Sequence, residues 1–341
     1  MGEVVKTTRI APERRKKLQD IIPISTPMLL LIEPTNYCNQ KCRFCPTSDK
    51  HLLEMVHRKS LFMPERFIDM LVSQLHDFPE KIKKIHLYKD GEPLLYPYIG
   101  KLISMLKQAN VAEQICLKTN GLLMNPAKNQ ELISAGLDWL GVSVASADPE
   151  KYFELTNHRV NMEDYIANIR DFYERDRHCH LYVKLANFNL SKRERDMFFQ
   201  KFQSCCDTCA VENLHGWTGS EGRQFQLDQD EESFNDVNRV AKIVCPYPFY
   251  ALAVNAIGTV SICCNDWAHR TVVGDISKER LIDIWNGEQL MNFRRMHLEG
   301  LRRNNPACAD CSCVELLPDN IDNFREDILR RILTKNARNN G

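Results

Sequence analysis

Short apolar runs alternate with amphipathic stretches from Met28 to about Trp217. The runs cover residues 28–33, 82–88, 114–118, 139–145, 180–186 and 210–214. They are rich in β-branched and aliphatic residues and bounded by Gly, Pro, Asn or Asp, as strands buried in a parallel sheet are. Between them, residues 64–75 open on a proline at a helix-entry position and bring Phe67, Ile68, Leu71, Val72 and Leu75 to one face. Residues 126–137, 162–175 and 191–203 share that helical period. Six such alternations predict parallel strands in a closed or partly closed α/β barrel. Chemistry in such folds gathers where the strands end.

The pattern changes around 221–238, where polar and acidic residues predict a linker or lid. Residues 249–263 then predict a hairpin turning near Asn255–Gly258, and 279–297 a helix with Leu281, Ile284, Trp285 and Leu290 among its apolar positions. A last helix is expected over 319–339, where Ile321, Phe324, Ile328, Leu329 and Ile332 form a stripe that packs against the body. The expected organisation is an N-terminal arm (1–27), a barrel (28–225), a linker or lid (226–244), a small cysteine-rich domain (245–316) and a closing helix (317–341).

Composition narrows the function classes only a little. The chain has 341 residues, zero formal net charge, 43% hydrophobic and 26% charged residues, which are ordinary for a globular protein. Bulk charge gives no argument for a nucleic-acid or membrane partner. The apolar run 27–32 is too short to span a bilayer and is followed by Glu33. No signal peptide is read ahead of it, so a cytoplasmic location is expected. In that compartment fourteen cysteines favour metal over disulfides.

Their spacing favours it further. Cys38, Cys42 and Cys45 fall as Cys-x3-Cys-x2-Cys directly after the first predicted strand. A 4Fe–4S cube has four irons, normally all held by thiolates. Three thiolates leave one iron open to a small molecule, as a catalytic metal keeps a position for substrate. Zinc is the competing reading, but it usually asks for four ligands and Cys116 is the next cysteine along.

This loop, including Phe44 before its last cysteine, resembles that of the radical S-adenosylmethionine (SAM) enzymes. The resemblance implies that the open iron binds SAM and that reductive cleavage yields a 5′-deoxyadenosyl radical. Asp90-Gly91-Glu92-Pro93, after the second strand, resembles the family's Gly-Glu motif, whose carboxylate accepts a hydrogen bond from the SAM ammonium. Asn120 and Ser143 fall where the family offers polar contacts to SAM. Ala145 stands where many members carry Asp, a departure affecting the fourth-strand contacts alone.

Cys245, Gly258 and Cys263, followed by Cys308-Ala-Asp-Cys311-Ser-Cys313, resemble the auxiliary-cluster region called SPASM or its shorter twitch form. Six thiols are too few for two conventional clusters, which need about eight. One auxiliary 4Fe–4S cluster is therefore expected, on Cys245, Cys263, Cys308 and Cys311, with Cys264 and Cys313 spare; a four-cysteine zinc site is the alternative. Cys205, Cys206 and Cys209 have no matching second half, and buried apolar thiols are the expectation there.

Glu212, His215 and Trp217 at the sixth strand, with Lys184 on the fifth, are candidates for substrate contact. A Lys184–Glu212 ion pair and a packing Trp217 are the structural alternatives. The resemblance implies a twitch-type alcohol dehydrogenase that oxidises a sugar or cyclitol and passes an electron to the auxiliary cluster. It also implies a flavodoxin or ferredoxin as electron donor. A peptide-modifying SPASM enzyme and a radical epimerase are the enzymatic rivals, and a non-catalytic iron–sulfur or zinc protein is the remaining one. The roughly 27 residues before the first strand are few for a folded leader-binding module.

Overall fold

The computed structural model describes residues 3–4, 16–175, 178–213, 216–225 and 240–339. Six parallel strands form the frame: β1 (Leu29–Ile32), β2 (Ile82–His86), β3 (Ala112–Thr119), β4 (Trp139–Val144), β5 (His180–Asn187) and β6 (Thr208–Asn213). Each follows a predicted run to within a few residues. Neighbours in sequence are neighbours in the sheet, so each β-α unit closes on the one before it. Glu3–Val4 adds a short parallel segment beyond β6.

Strand alternation divides the sheet into two unlike faces. Ile85, Ile115, Leu117, Leu140, Val142, Leu181, Val183 and Val211 point outward into one continuous core. Against them pack α1 (Arg66–Leu75), α2 (Ile99–Ala109), α3 (Pro126–Ser134), α4 (Met162–Arg175) and α5 (Lys192–Phe202). Phe67, Ile68, Leu71 and Leu75 form the buried face of α1, as their spacing predicts, while Val72 is only half-buried. Ser191 caps α5 reciprocally with Glu194. The expected helix over 126–137 stops at Ser134 because the chain turns through Gly136 at φ +82°.

The other face is polar. His86, Cys116, Lys118, Trp139, Ser143, Tyr182, Lys184 and Glu212 alternate with the core residues and share the interior side. The architecture is a partial barrel whose inner surface is chemical rather than apolar.

The cysteine-rich region joins this sheet. The hairpin of β7 (Ala251–Val254) and β8 (Thr259–Ser261) turns through Gly258 at φ +103°. β7 pairs in parallel with β1, Leu29 opposite Ala251 and Ile32 opposite Val254, and β9 (Val272–Asp275) pairs with β8. The sheet therefore runs unbroken from the barrel into the region beyond residue 245.

Two predicted helices are corrected. The helix expected over 279–297 is two, α6 (Leu281–Asn286) and α7 (Glu288–Leu298). Gly287 is extended between them, and a Cβ there would meet the Asp283 carbonyl oxygen at 2.7 Å. The last helix, α8 (Arg325–Asn339), begins after a 3-10 turn at Asp322–Phe324. Ile321, Ile328 and Ile332 pack with Leu18, Ile22, Val244, Phe249 and Leu298, tying both chain ends to the cysteine-rich region. Most of the predicted linker or lid, 226–239, lies outside the described residues. Its end is anchored: the buried Lys242 ammonium donates to the carbonyls of Val314, Glu315 and Leu317.

Candidate active site

The first cysteine loop leaves β1 and is pinned on two sides. Lys41 and Arg43 donate backbone bonds to Thr156 and Leu155 at the end of a short helix, Pro149–Thr156. Ser48 Oγ donates to the carbonyls of Cys42 and Cys45 at 2.9 and 2.7 Å. The Cys42 thiol donates to Gln40 Oε1 at 3.3 Å, and Cys45 Sγ lies 3.0 Å from Thr47 Oγ1. Cys38 is exposed at the loop's mouth, and the other two are half-buried. Burial raises the Cys42 and Cys45 thiols above their ordinary acidity range, and the neighbouring cysteines add to the rise at Cys42. Three soft donors, hydrogen-bonded by no cation among the described residues, suit a cluster whose iron draws off the thiol protons.

Gly91 brings the second strand's loop against this one. Its φ is +101°, and a Cβ would lie 2.5 Å from the Thr35 carbonyl oxygen, so only glycine fits. Glu92 then donates its backbone N–H to the Tyr37 carbonyl at 2.7 Å. The Glu92 carboxylate is buried; Oε1 accepts from Leu94 N and Thr119 Oγ1, and Oε2 from Asn120 N. Burial raises its pKa to about 6, with those three donors opposing the rise. Pro93 opens the 3-10 turn that places Leu94 N. Asn120 Nδ2 donates to Asn39 Oδ1 within the cysteine loop at 2.7 Å. Ser143 lies on the interior face of β4, opposite Lys184. Phe44 packs against the core, and its carbonyl accepts from the Trp217 indole at 2.7 Å.

Below that level, Lys184 Nζ donates to Glu212 Oε2 at 2.7 Å, and Tyr182 OH donates to Oε1 at 2.6 Å. The predicted pair thus takes its ion-pair form. Burial opposes the Glu212 charge, but Lys184 and Lys118 outweigh it and hold the carboxyl far below its usual range. His215 lies outside the described residues. Trp217 joins the packing cluster of Leu52, Trp267 and Phe225 rather than standing free in the interior.

Six cysteines gather in the second region. Cys245, Cys263, Cys308 and Cys311 perturb one another electrostatically, and Cys264 and Cys313 sit beside Cys263 and Cys311. Cys264 Sγ lies 3.3 Å from Tyr247 OH, and Cys313 Sγ donates to the Gly216 carbonyl at 2.9 Å, so both spare positions have oxygen partners. Burial raises the Cys245 thiol to about 12. This donor set also fits a cluster. Cys205, Cys206 and Cys209 are instead sealed in the core with Phe198 and Phe202, the first two donating to the Phe202 carbonyl.

Several residues were not legible as site components. Lys118 lies beside Tyr88, whose hydroxyl is 2.8 Å from His86 Nδ1, on the interior face. Arg58 and Lys89 surround Asp90. Glu33, Asp90 and His269 bring potential ligand atoms within 4.8 Å of one another. Arg58 and Lys89 already balance those carboxylates, so charge gives that group no need of a metal.

Residues 32–199 match the family model of the radical SAM superfamily, and residues 245–312 match that of an iron–sulfur cluster-binding domain, SPASM. Together these stretches take in more than half of the chain. The chain belongs to the radical SAM superfamily. It is a radical SAM enzyme, with SAM and 4Fe–4S clusters as its cofactors.

Among curated relatives, the SAM-dependent 2-deoxy-scyllo-inosamine dehydrogenase of Niallia circulans is 21% identical over 290 residues, 84% of this chain and 94% of that protein. The GTP 3′,8-cyclase of Aquifex aeolicus is 29% identical over 144 residues, but the match covers only 41% of this chain and 42% of the cyclase. Among solved structures, BtrN in complex with AdoMet and 2-DOIA superposes with a TM-score of 0.52 at 19% identity, over 83% of this chain and 92% of BtrN. Streptococcus suis SuiB bound to S-adenosylmethionine gives 0.62 at 15% identity, over 91% and 76%. These likenesses establish a shared fold. Among the described residues, no helix is long and apolar enough to cross a membrane.

Proposed function

We propose that this enzyme oxidises an alcohol of a small polyhydroxylated metabolite, a sugar or cyclitol, to a ketone. In this reading Cys38, Cys42 and Cys45 hold the SAM-binding cluster. Phe44, Gly91, Glu92, Pro93, Asn120 and Ser143 line the SAM site, with the Glu92 carboxylate accepting from the SAM ammonium. Cys245, Cys263, Cys308 and Cys311 hold one auxiliary cluster. Bound SAM and its cluster supply a 5′-deoxyadenosyl radical that removes the carbinol hydrogen, and the auxiliary cluster is the acceptor for the remaining electron. Lys184, Glu212 and His215 orient hydroxyl groups, and a flavodoxin or ferredoxin in the cytoplasm supplies the reducing electron.

The observation carrying the reading is the polar interior face. The Tyr182–Glu212–Lys184 group shares this face with Tyr88 and Lys118, both of which feel the charge of Cys264. Fixed donors and acceptors on a face within electrostatic reach of the second thiol group suit a substrate rich in hydroxyls and an electron leaving toward that group. Resemblance to a cyclitol dehydrogenase across most of its length supports the same class.

The test is anaerobic turnover of reconstituted, reduced protein with SAM and a panel of cyclitols and sugars. Polyol-dependent deoxyadenosine and a product two hydrogens lighter are expected. Epimerisation is the second reading, favoured by the two additional thiols, Cys264 and Cys313, among the auxiliary cysteines.

A further inference from the structure

Oxidation of an alcohol releases a hydroxyl proton as well as a hydrogen atom and an electron, and an interior site must give that proton somewhere to go. Of the residues expected to do chemistry, Lys184 and Glu212 are poorly placed for it. Both Glu212 oxygens are engaged by Tyr182 and Lys184, and the Lys184 amine donates to Glu212. His86 Nδ1 is committed to the Tyr88 hydroxyl at 2.8 Å. Lys118 differs from all of these. It alternates with the core residue Leu117 on β3, so its side chain enters the interior. It stands opposite Gly141 in the strand register, and its Cε passes 3.6 Å from where a Cβ on that residue would lie. Its Nζ lies 5.2 Å from the centre of the Tyr88 ring, and among the described residues no hydrogen bond or ion pair engages it.

We propose that Lys118 accepts the substrate's hydroxyl proton, an assignment that rests on the alcohol-oxidation reading above. After the deoxyadenosyl radical has taken the carbinol hydrogen, the O–H bond of the carbon radical breaks. Its proton forms a new N–H bond on the neutral Lys118 amine. One electron leaves for the oxidised auxiliary 4Fe–4S cluster as the C=O bond forms, so both hydrogens and both electrons are accounted for.

The surroundings bring the neutral amine within reach of physiological pH. Burial and the Lys184 cation bring Lys118 down to about 8, while Glu212, Cys264 and Cys116 partly offset them. His86 is held near 3 by burial and by Lys118 and Lys84, and so adds no charge at neutral pH. A lysine in that range is matched to proton transfer near physiological pH, a contribution of about 100- to 10,000-fold.

The experiment uses the two-cluster enzyme with carbon-deuterated myo-inositol, scyllo-inositol and glucose as probes. It measures ketone formed per deuterium transferred to deoxyadenosine in the wild type, Lys118→Arg and Lys118→Gln. Arginine keeps the positive charge but does not give up its proton. Both variants are expected to lower that ratio at least about 100-fold, with glutamine excluding a purely steric effect of arginine. In the wild type, the ratio should rise with pH to a plateau above about 8, following the loss of the Lys118 proton. A Lys118→Arg enzyme with an unchanged ratio would overturn the assignment, as would a flat wild-type profile across that range. Should no probe give up deuterium even in the wild type, alcohol oxidation itself falls and Lys118 loses this role with it. That outcome is distinct from deuterium transfer that persists in the wild type and stays coupled in the variants.

Discussion

Arg58 and Asp90 lie 3.0 Å apart, nitrogen to oxygen, with both side chains sealed from solvent. Lys89 Nζ reaches the same Asp90 oxygen at 2.7 Å and also donates to the Asp266 carbonyl at 3.1 Å, while Arg58 donates to the Trp267 carbonyl. The network therefore joins the loop after β2 to the loop that follows Cys263 and Cys264. Removing one member of a buried charge network strands its partners, at a cost of roughly 3–5 kcal/mol. Arg58→Met should lie toward the lower end, because Lys89 remains beside Asp90. Urea unfolding under anaerobic conditions measures it. Lys192→Ala, which loses an exposed pair with Asp196, should leave the midpoint unchanged. Equal midpoints for the two variants would refute the role given to Arg58.

Gly91→Ala should damage SAM binding without touching any ligand. The residue sits at φ +101°, and the new methyl would press on the Thr35 and Tyr37 carbonyl oxygens. Backbone strain of this kind costs about 1–3 kcal/mol. The loop before Cys38 or the Glu92 turn must then move. We expect at least a tenfold loss of SAM affinity in an equilibrium titration, with iron bound at the second cysteine group unaffected. Wild-type affinity in that variant would mean that the close approach has no bearing on the SAM site.

Glu92→Gln should weaken SAM binding more than cluster assembly. The carboxylate already accepts from Leu94, Thr119 and Asn120, so an amide would turn its NH2 toward at least one donor. Loss of a charge-assisted bond is worth roughly 1.5–3 kcal/mol, or about ten- to a hundred-fold in affinity. The wild type should lose affinity in the same direction as pH falls through about 6, where the buried carboxyl takes up a proton in the free enzyme. The variant should lack this dependence. A titration series between pH 5 and 8, flat for the wild type, would remove Glu92 from the SAM site.

Iron content tests the partition of the cysteines. Reconstituted protein should hold about eight irons per chain, and the Cys38, Cys42 and Cys45 triple alanine variant about four, with no SAM cleavage. Iron falling to zero, or not falling, would show that the two groups are not independent sites. Changing Cys205, Cys206 and Cys209 should alter stability rather than iron, since all three are buried in the core beside Phe202.

What was legible in the chain follows from how locally each feature is encoded. The parallel strands stand out because both faces of Leu30–Ile32 or Leu181–Val183 are screened from solvent, producing short apolar runs. The cysteine groups stand out because cluster ligation demands particular spacings. Arg58 and Lys89 do not, because in sequence a charge usually marks a solvated face and these are buried by contacts from distant loops. Lys118 is hidden for the same reason, although its alternation with Leu117 places it inside. The pairing of β1 with β7 joins segments more than two hundred residues apart and leaves no local signature. The break at Gly287 depends on a close approach to the Asp283 carbonyl that helical periodicity alone does not reveal.

Oxidation and epimerisation differ in the fate of one hydrogen. If the carbon radical loses a proton to the interior and an electron to the auxiliary cluster, one SAM is consumed per product, which is two hydrogens lighter and carries no solvent hydrogen at the attacked carbon. If a thiol quenches the radical, mass is unchanged in H2O. In D2O the product gains one deuteron there, because thiol hydrogens exchange with solvent. Cys264 and Cys313 are the thiols to consider, but each already has an oxygen partner, Tyr247 OH and the Gly216 carbonyl respectively. Those contacts occupy both thiols, Cys313 at the turn after β6, and the four other cysteines of the auxiliary region suffice for an electron-accepting cluster. Oxidation is therefore the expected outcome, and Cys313→Ala should reduce ketone formation far less than Cys311→Ala. Mass spectrometry of the product from both solvents decides between them. A product of unchanged mass with a single solvent deuteron at the attacked carbon would replace the dehydrogenase reading with epimerisation and make one of the two extra thiols the hydrogen donor.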